Sequence, residues 1–177
     1  MKRGPTSWIT CLDVDYRPAS SVAAAVSLQQ WMDAASAHEI VHTTADPPAE
    51  YEPGQFYRRE LPHLLAVLGL LPAPPRLIVV DGFVWLADAA DGTAGPGLGA
   101  HLHAALGRVV PIVGVAKRPY RLANRAVPLL RGESQVPLWV TSVGIPLDDA
   151  IASVASMHGE HRIPTLLRRV DRLARDS

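Results

Sequence analysis

Three strand-like runs crowd the start of the chain, and the connections between them are too short to hold a helix. Residues 8–16 are apolar and β-branched, and Arg17-Pro18-Ala19-Ser20 then makes a turn. Ser21–Trp31 is Ala-rich, so its composition suits a helix or a strand equally. The short connection decides the matter and makes it the second strand of an antiparallel pair. Glu39–Thr44 reads as a third strand, ended by Ala45-Asp46-Pro47-Pro48.

Beyond this point helices and strands alternate. Leu61, Leu64, Leu65, Leu68 and Leu71 recur at helical spacing, which predicts a helix from about Arg58 to Leu71. Pro72-Ala73-Pro74-Pro75 breaks it. Arg76–Asp81 is a short continuous apolar run, the pattern of a strand covered on both faces. Residues 86–99, rich in Ala, Gly and Asp, read as a loop, and His101–Arg108 as a helix. Val109–Ala116 is a further buried strand with Pro111 near its start, and Val136–Val143 is the last strand. Helices over about 147–157 and 164–175 close the chain. The expectation is an α/β fold with a mixed sheet, antiparallel at the start and parallel afterwards, flanked by helices. That order is the pattern of the ribonuclease H-like fold.

The 177 residues are expected to form a single domain spanning 1–177, long enough to bury a core. No apolar run reaches the roughly 18–20 residues of a membrane span, so no membrane association is expected. The basic Met-Lys-Arg start runs into Gly-Pro-Thr-Ser rather than a long apolar segment, so no signal peptide is expected. Cys11 is the single cysteine and is read as a core residue, which suits a reducing cytoplasm. A monomer is expected.

Acids stand where regular elements end. Asp13 lies in the first strand, Asp81 closes Leu77–Asp81, and Glu60 sits near the start of the first helix, after Tyr51-Glu52-Pro53-Gly54-Gln55-Phe56-Tyr57-Arg58-Arg59. A strand-end Asp alone is commonly a loop cap. Three such carboxylates can converge on one hard cation, the requirement of magnesium-assisted phosphodiester chemistry. Asp15 shares the strand face of Asp13 and is either a supporting acid or an edge residue. His101 and His103 are two apart on a helix, point away from each other and are not a metal pair. Gly95–Gly99 is no dinucleotide fingerprint, because Pro96 interrupts it and no strand directly precedes it.

Net charge is zero, yet the charges are unevenly placed: residues 1–100 carry 6 Lys+Arg against 11 Asp+Glu, and residues 101–177 carry 11 against 6. Arg108, Lys117, Arg118, Arg121, Arg125 and Arg131 fall in a stretch without acids. This is either a solvated basic face or a phosphate-binding surface beside the acids.

The run YEPGQFYRRE (Tyr51–Glu60), VVDG (Val79–Gly82), GLGAHLH (Gly97–His103), GVAK (Gly114–Lys117) and TSVG (Thr141–Gly144) occur in this order. In these pieces, from Asp13 to about Ala155, the chain resembles the endonuclease V family: ribonuclease H-like nucleases that cut near deoxyinosine in deaminated DNA, some acting on inosine in RNA. The resemblance implies metal-binding carboxylates at Asp13, Glu60 and Asp81, with Lys117 facing the scissile phosphate. It implies a Tyr51 wedge that fills the gap left by an extruded base. Gly54, Phe56, Gly82 and Gly114 would line the pocket for that base, and His101 would belong to the substrate-binding set with its role open. The implied cofactor is Mg2+, with Mn2+ as a substitute, and the implied partner is deaminated DNA or RNA.

The chain departs from the family pattern as well. After Asp81-Gly82 the family places histidines in a GHGxxHP run, where this chain has Phe83-Val84-Trp85-Leu86-Ala87. A further family histidine after TSVG is Ile145 here, leaving Asp88 and Asp91 as candidate replacements. The segment between Lys117 and Val136 is shorter than usual, and the helix that normally precedes the first strand is not expected here. The expected function is a metal-dependent endonuclease acting near deaminated bases. The alternative is a catalytically weakened or inactive relative that binds nucleic acid.

Overall fold

The computed structural model describes residues 7–45, 56–88, 94–120 and 125–177. Tyr51, Gly54, Asp91 and Arg121 lie outside them, and of Phe56, Ala87 and Asp88 the backbone alone is described. The opening strands are β1 (Ile9–Arg17), β2 (Ser20–Leu28) and β3 (His38–Thr44). There follow α1 (Phe56–Leu68), β4 (Leu77–Asp81), β5 (Trp85–Asp88), β6 (Ala94–Pro96), α2 (Leu98–Ala105) and β7 (Ile112–Ala116). The chain continues through β8 (Val127–Leu129), β9 (Leu138–Val143), α3 (Leu147–Ser156) and α4 (Thr165–Asp176). Seven strands form one sheet in the order β3-β2-β1-β4-β7-β9-β8.

The opening is antiparallel, β1 with β2 and β2 with β3, and β4 and β7 then add parallel to β1 and to each other. Antiparallel pairing returns at β9 and at the edge strand β8. This is the mixed, ribonuclease H-like sheet that the sequence pattern predicts.

Its two faces carry separate cores. α1 and α2 cover a cluster that includes Leu12, Ala23, Ala25, Ile78 and Val80, while α3 and α4 cover Ile9, Cys11, Val79, Val113 and Val140. β2 lies between α1 and α4, and its run of small residues lets both helices approach. That is why an Ala-rich segment is a strand here. It stops at Leu28 rather than Trp31, because the Asp33 carboxylate accepts from the amides of Gln29 and Gln30, each at 2.9 Å, and turns the chain.

Other boundaries differ from expectation as well: α1 runs Phe56–Leu68 and β9 starts at Leu138. Residues 86–99 are not all loop: β5 and β6 pair antiparallel as a small ribbon, anchored where Trp85 Nε1 donates to the Ser142 carbonyl at 2.9 Å. α2 starts at Leu98 and is finished before Arg108, where Gly107 and Arg108 take φ of 70° and 60°. β7 starts at Ile112, after Pro111 rather than around it. Short β8 carries no strand signal in the sequence because it is an edge strand with exposed Pro128 at its centre, a place where a missing N–H costs nothing. Among the described residues no helix is long and apolar enough to cross a membrane.

Candidate active site

Alternation along three strands builds the site. Side chains two apart share a face, so Asp13 continues the row Ile9–Cys11, Asp81 the row Leu77–Val79, and Lys117 the row Val113–Val115. The β1–β4 register ends at Leu12↔Val80, which makes Asp13 and Asp81 the next neighbours. Asp81 ends β4 and Lys117 follows β7, whereas Asp13 stands in the middle of the longer β1 rather than at its end, just past the last residue paired with β4; all three lie on the α3–α4 side.

α4 brings a fourth charge to them. Its residues Leu166, Val170 and Ala174 are buried against the sheet, and Asp171, beside Val170, flanks that apolar face. One oxygen each from Asp13, Asp81 and Asp171 lie within 4.8 Å of one another. Lys117 Nζ donates to Asp81 Oδ2 at 2.6 Å and to Asp171 Oδ1 at 3.3 Å. Arg175 donates to Asp171 Oδ1 at 2.9 Å. Asp15 pairs instead with Arg17 at 3.3 Å, and Arg17 in turn donates to the Ala174 and Arg175 carbonyls at the end of α4.

Glu60 reaches the site from the opposite layer. It lies on α1, which packs on the other face of the sheet, and it lines the same cleft of about 480 Å3 as Asp13, Asp81, Gly82, Lys117 and Asp171. The Glu60 side chain is buried, at 9% exposure. Burial, followed by the charges of Asp13 and Asp81, pushes its carboxyl up to about 8. Burial and then Asp81 push Asp13 to about 7, although Lys117 and the Val14 amide pull it back. For Lys117, burial acts against the ammonium, but Asp81, Asp13 and Asp171 outweigh it and hold it above the ordinary lysine range. The cleft therefore concentrates more negative charge than its own cations neutralise. All its candidate ligands are hard carboxylate oxygens, a donor set suited to magnesium or manganese.

The remaining predicted residues are distributed differently. Gly82, with φ of 137°, lines the cleft. Gly114 is buried, and a Cβ there would lie 2.6 Å from both the Gly82 carbonyl and Thr141 Oγ1. Thr141 Oγ1 also accepts from the Val84 amide at 2.8 Å. The VVDG, GVAK and TSVG runs are thus packed into one another behind the cleft, with Gly114 at their closest approach. His101 stacks on Tyr57 with ring centroids 3.4 Å apart, tying α2 to α1, and is not among the residues lining the cleft. His103 turns away to the Val110 carbonyl, 2.8 Å from its Nδ1. Ile145 packs against the α3–α4 core, and Phe83 lies near Tyr120.

Of the basic stretch, Lys117 and Arg118 line the cleft. Arg131 does not serve it: its guanidinium is buried and donates to the carbonyls of Met157, Gly159, His161 and Arg162. It fastens the α3–α4 connection instead of presenting charge to a phosphate.

The family model described as Endonuclease V matches residues 1–145. The chain belongs to the endonuclease V family. An endonuclease V of Streptomyces avermitilis is 34% identical over 196 residues, covering 96% of this chain and 80% of the relative. The crystal structure of an endonuclease V from the same organism superposes with a TM-score of 0.72 at 33% identity, covering 98% of this chain and 82% of that one. Ciona intestinalis endonuclease V (D234N), solved with a 23mer DNA containing an inosine followed by a ribo-adenosine, shares the fold. Its TM-score is 0.69 at 16% identity, over 96% of this chain and 84% of that one.

This endonuclease V family member carries an acid that sequence reading missed. Asp171 lies beyond the span matched by the family model, in a helix whose arginines make an acid look like a surface partner. The available signal was its position next to Val170, at the margin of the apolar stripe.

Proposed function

We propose that this chain is a divalent-metal-dependent endonuclease that hydrolyses phosphodiester bonds near deaminated bases, deoxyinosine in DNA or inosine in RNA. The observation that carries the reading is the convergence of Asp13, Asp81 and Asp171 within 4.8 Å beside Lys117, at the end of a family-typical sheet. Asp13, Asp81 and Asp171 would hold the cation, with Glu60 completing the acid set from the α1 side. When bound, magnesium or manganese offsets phosphate charge and makes water a better nucleophile near neutral pH.

The side chains do the rest. Lys117, already fixed by two carboxylates, presents a positive charge where a non-bridging phosphate oxygen would lie. Gly82 leaves the rim of the cleft without a side chain, so a planar base can approach the backbone. Tyr51 is assigned as the wedge, and Gly54 and Phe56 as pocket residues, on the resemblance in sequence. His101 acts on the pocket through its stack with Tyr57, by positioning α1.

The test is cleavage of matched oligonucleotides with and without a single inosine, in DNA and RNA, with added Mg2+ or Mn2+ or with chelator. Metal-dependent cuts confined to inosine-containing strands support the reading. Inosine-selective binding without cleavage under any metal would favour the binding relative, a second reading motivated by the absence of any imidazole among the described residues lining the cleft.

A further inference from the structure

A second depression lies beside α4, away from the acids. Its volume is about 780 Å3, and Arg168, Arg169 and Arg172 of α4 line it together with His158, His161 and Thr165. One acid, Glu160, also lines it, as does Met32. Nothing in the hydrolytic chemistry requires this groove.

The arginines differ in what they already do. Arg169 is committed to Glu39, with bonds of 2.9 and 2.6 Å. Arg168 makes one long bond, 3.4 Å, to the Ile163 carbonyl. Arg172 is exposed and has no hydrogen bond or ion pair among the described residues. Positions 168, 172 and 175 are spaced i, i+4, i+7 and so form one stripe along the helix, opposite buried Leu166, Val170 and Ala174. The stripe spans about 10 Å at 1.5 Å per residue. It begins in the groove and ends at Arg175, which lines the acidic cleft.

We infer that Arg168 and Arg172 form a backbone-phosphate track that carries the nucleic-acid strand from the cleft into the α4 groove. Charge selects the occupant: guanidiniums on a helix with no acid partner among the described residues match an evenly spaced polyanion, and guanidinium forks pair with phosphate oxygens in two-point fashion. Continuity selects the strand, because the same helix supplies Asp171 to the acids and arginines to the groove. Such contacts fix register without reading bases, so the track serves damaged and undamaged strands alike. The inference rests on the nucleic-acid reading above.

The experiment compares wild type with the Arg168→Gln/Arg172→Gln double variant by fluorescence anisotropy. Probes are single-stranded DNAs of one sequence, with and without inosine, each in a short form confined to the cleft and a longer form. Affinity is measured across a salt series. For the longer strands the double variant should bind about tenfold or more weakly at low salt, with a salt slope shallower by about 1.4, since each single-strand phosphate contact contributes about 0.7. The loss should be equal for inosine and control strands and larger for long than for short ones. An unchanged slope, with wild type binding well, overturns the track and leaves the nuclease reading intact. A wild type that binds no probe overturns both. Circular dichroism and an Arg169→Gln variant, which breaks an ion pair on the same helix, control for damage to α4. A slope change as large from Arg169→Gln would also sink the inference.

Discussion

Lys117 Nζ lies 2.6 Å from Asp81 Oδ2, so the ends of the parallel neighbours β4 and β7 are joined by an ion pair across the floor of the cleft. The same ammonium reaches Asp171 on α4. Lys117 therefore occupies part of the negative field that a dication would otherwise fill. It both stabilises the metal-free acids and competes with the metal for them.

Replacing Lys117 with Met should separate these effects. Cleavage should fall by about 10²-fold or more, the scale for losing one preorganised charge-stabilising donor. Metal affinity, measured by isothermal titration of the same variant, should rise, because the competing ammonium is gone. A simultaneous fall in both would mean that the lysine is needed to hold the acids in place.

Asp171→Asn should leave the fold intact, since the side chain retains 18% exposure and the neighbours Val170 and Ala174 do the packing. The metal concentration giving half-maximal cleavage should increase by at least the 10–100-fold, roughly, that loss of a supporting partner costs at metal sites. A metal titration of cleavage reads this directly. An unchanged midpoint would remove Asp171 from the ligand set.

Stability of the metal-free protein should fall with pH. Asp13 and Glu60 are held at about 7 and about 8, above their ordinary 3.8 and 4.5, so the folded state binds their protons more tightly than the unfolded chain does. Their contribution is fully present below about pH 4 and is lost as pH rises through about 7–8. Mg2+ or Mn2+ favours the ionised acids and should offset the loss, so the metal-induced rise in Tm should grow with pH. Thermal melts of wild type and Asp13→Asn, with chelator and with metal, test this. The variant should show the flatter profile.

Cleavage should be slow, because Phe83, Ala87 and Ile145 stand where imidazoles were expected and a positioned general base contributes about 10²–10⁴-fold. Rates should recover at alkaline pH and with Mn2+ in place of Mg2+. Asp81→Asn should remove the remaining activity. Cuts that survive this change at an unchanged rate would place the chemistry elsewhere.

The strands of the central sheet other than β8 were legible because their apolar runs are local, and Asp81 marks the end of one of them. Asp13 and Asp81 stood out as acids set in or at the end of apolar strand runs, and Lys117 was implied by the family resemblance alone; the alternation of side chains along β1, β4 and β7 is what brings the three onto one face. Ala-rich β2 needed topology, since composition left helix and strand equal. Asp171 was hidden for a different reason: its partners are Asp13 and Asp81, far away in sequence, and locally it reads as half of an Asp171–Arg175 helix pair. Arg131 was misread for the same cause in reverse. A base in a loop reads as surface, and it is the four carbonyls it meets in the α3–α4 connection that make it structural.

The last acid, Asp171, arrives late in synthesis. A nascent chain can lay down β1, α1, β4 and β9 with Asp13, Glu60 and Asp81 in place, yet the cluster is not closed until α4 has left the ribosome and docked on β1 and β2. A fragment cut where the family match stops, at residue 145, would keep every sheet strand and three of the four acids. It would also lose the helices that cover one face. Truncation there would yield a sticky, metal-poor sheet, because the closing helix both covers that face and completes the acid cluster.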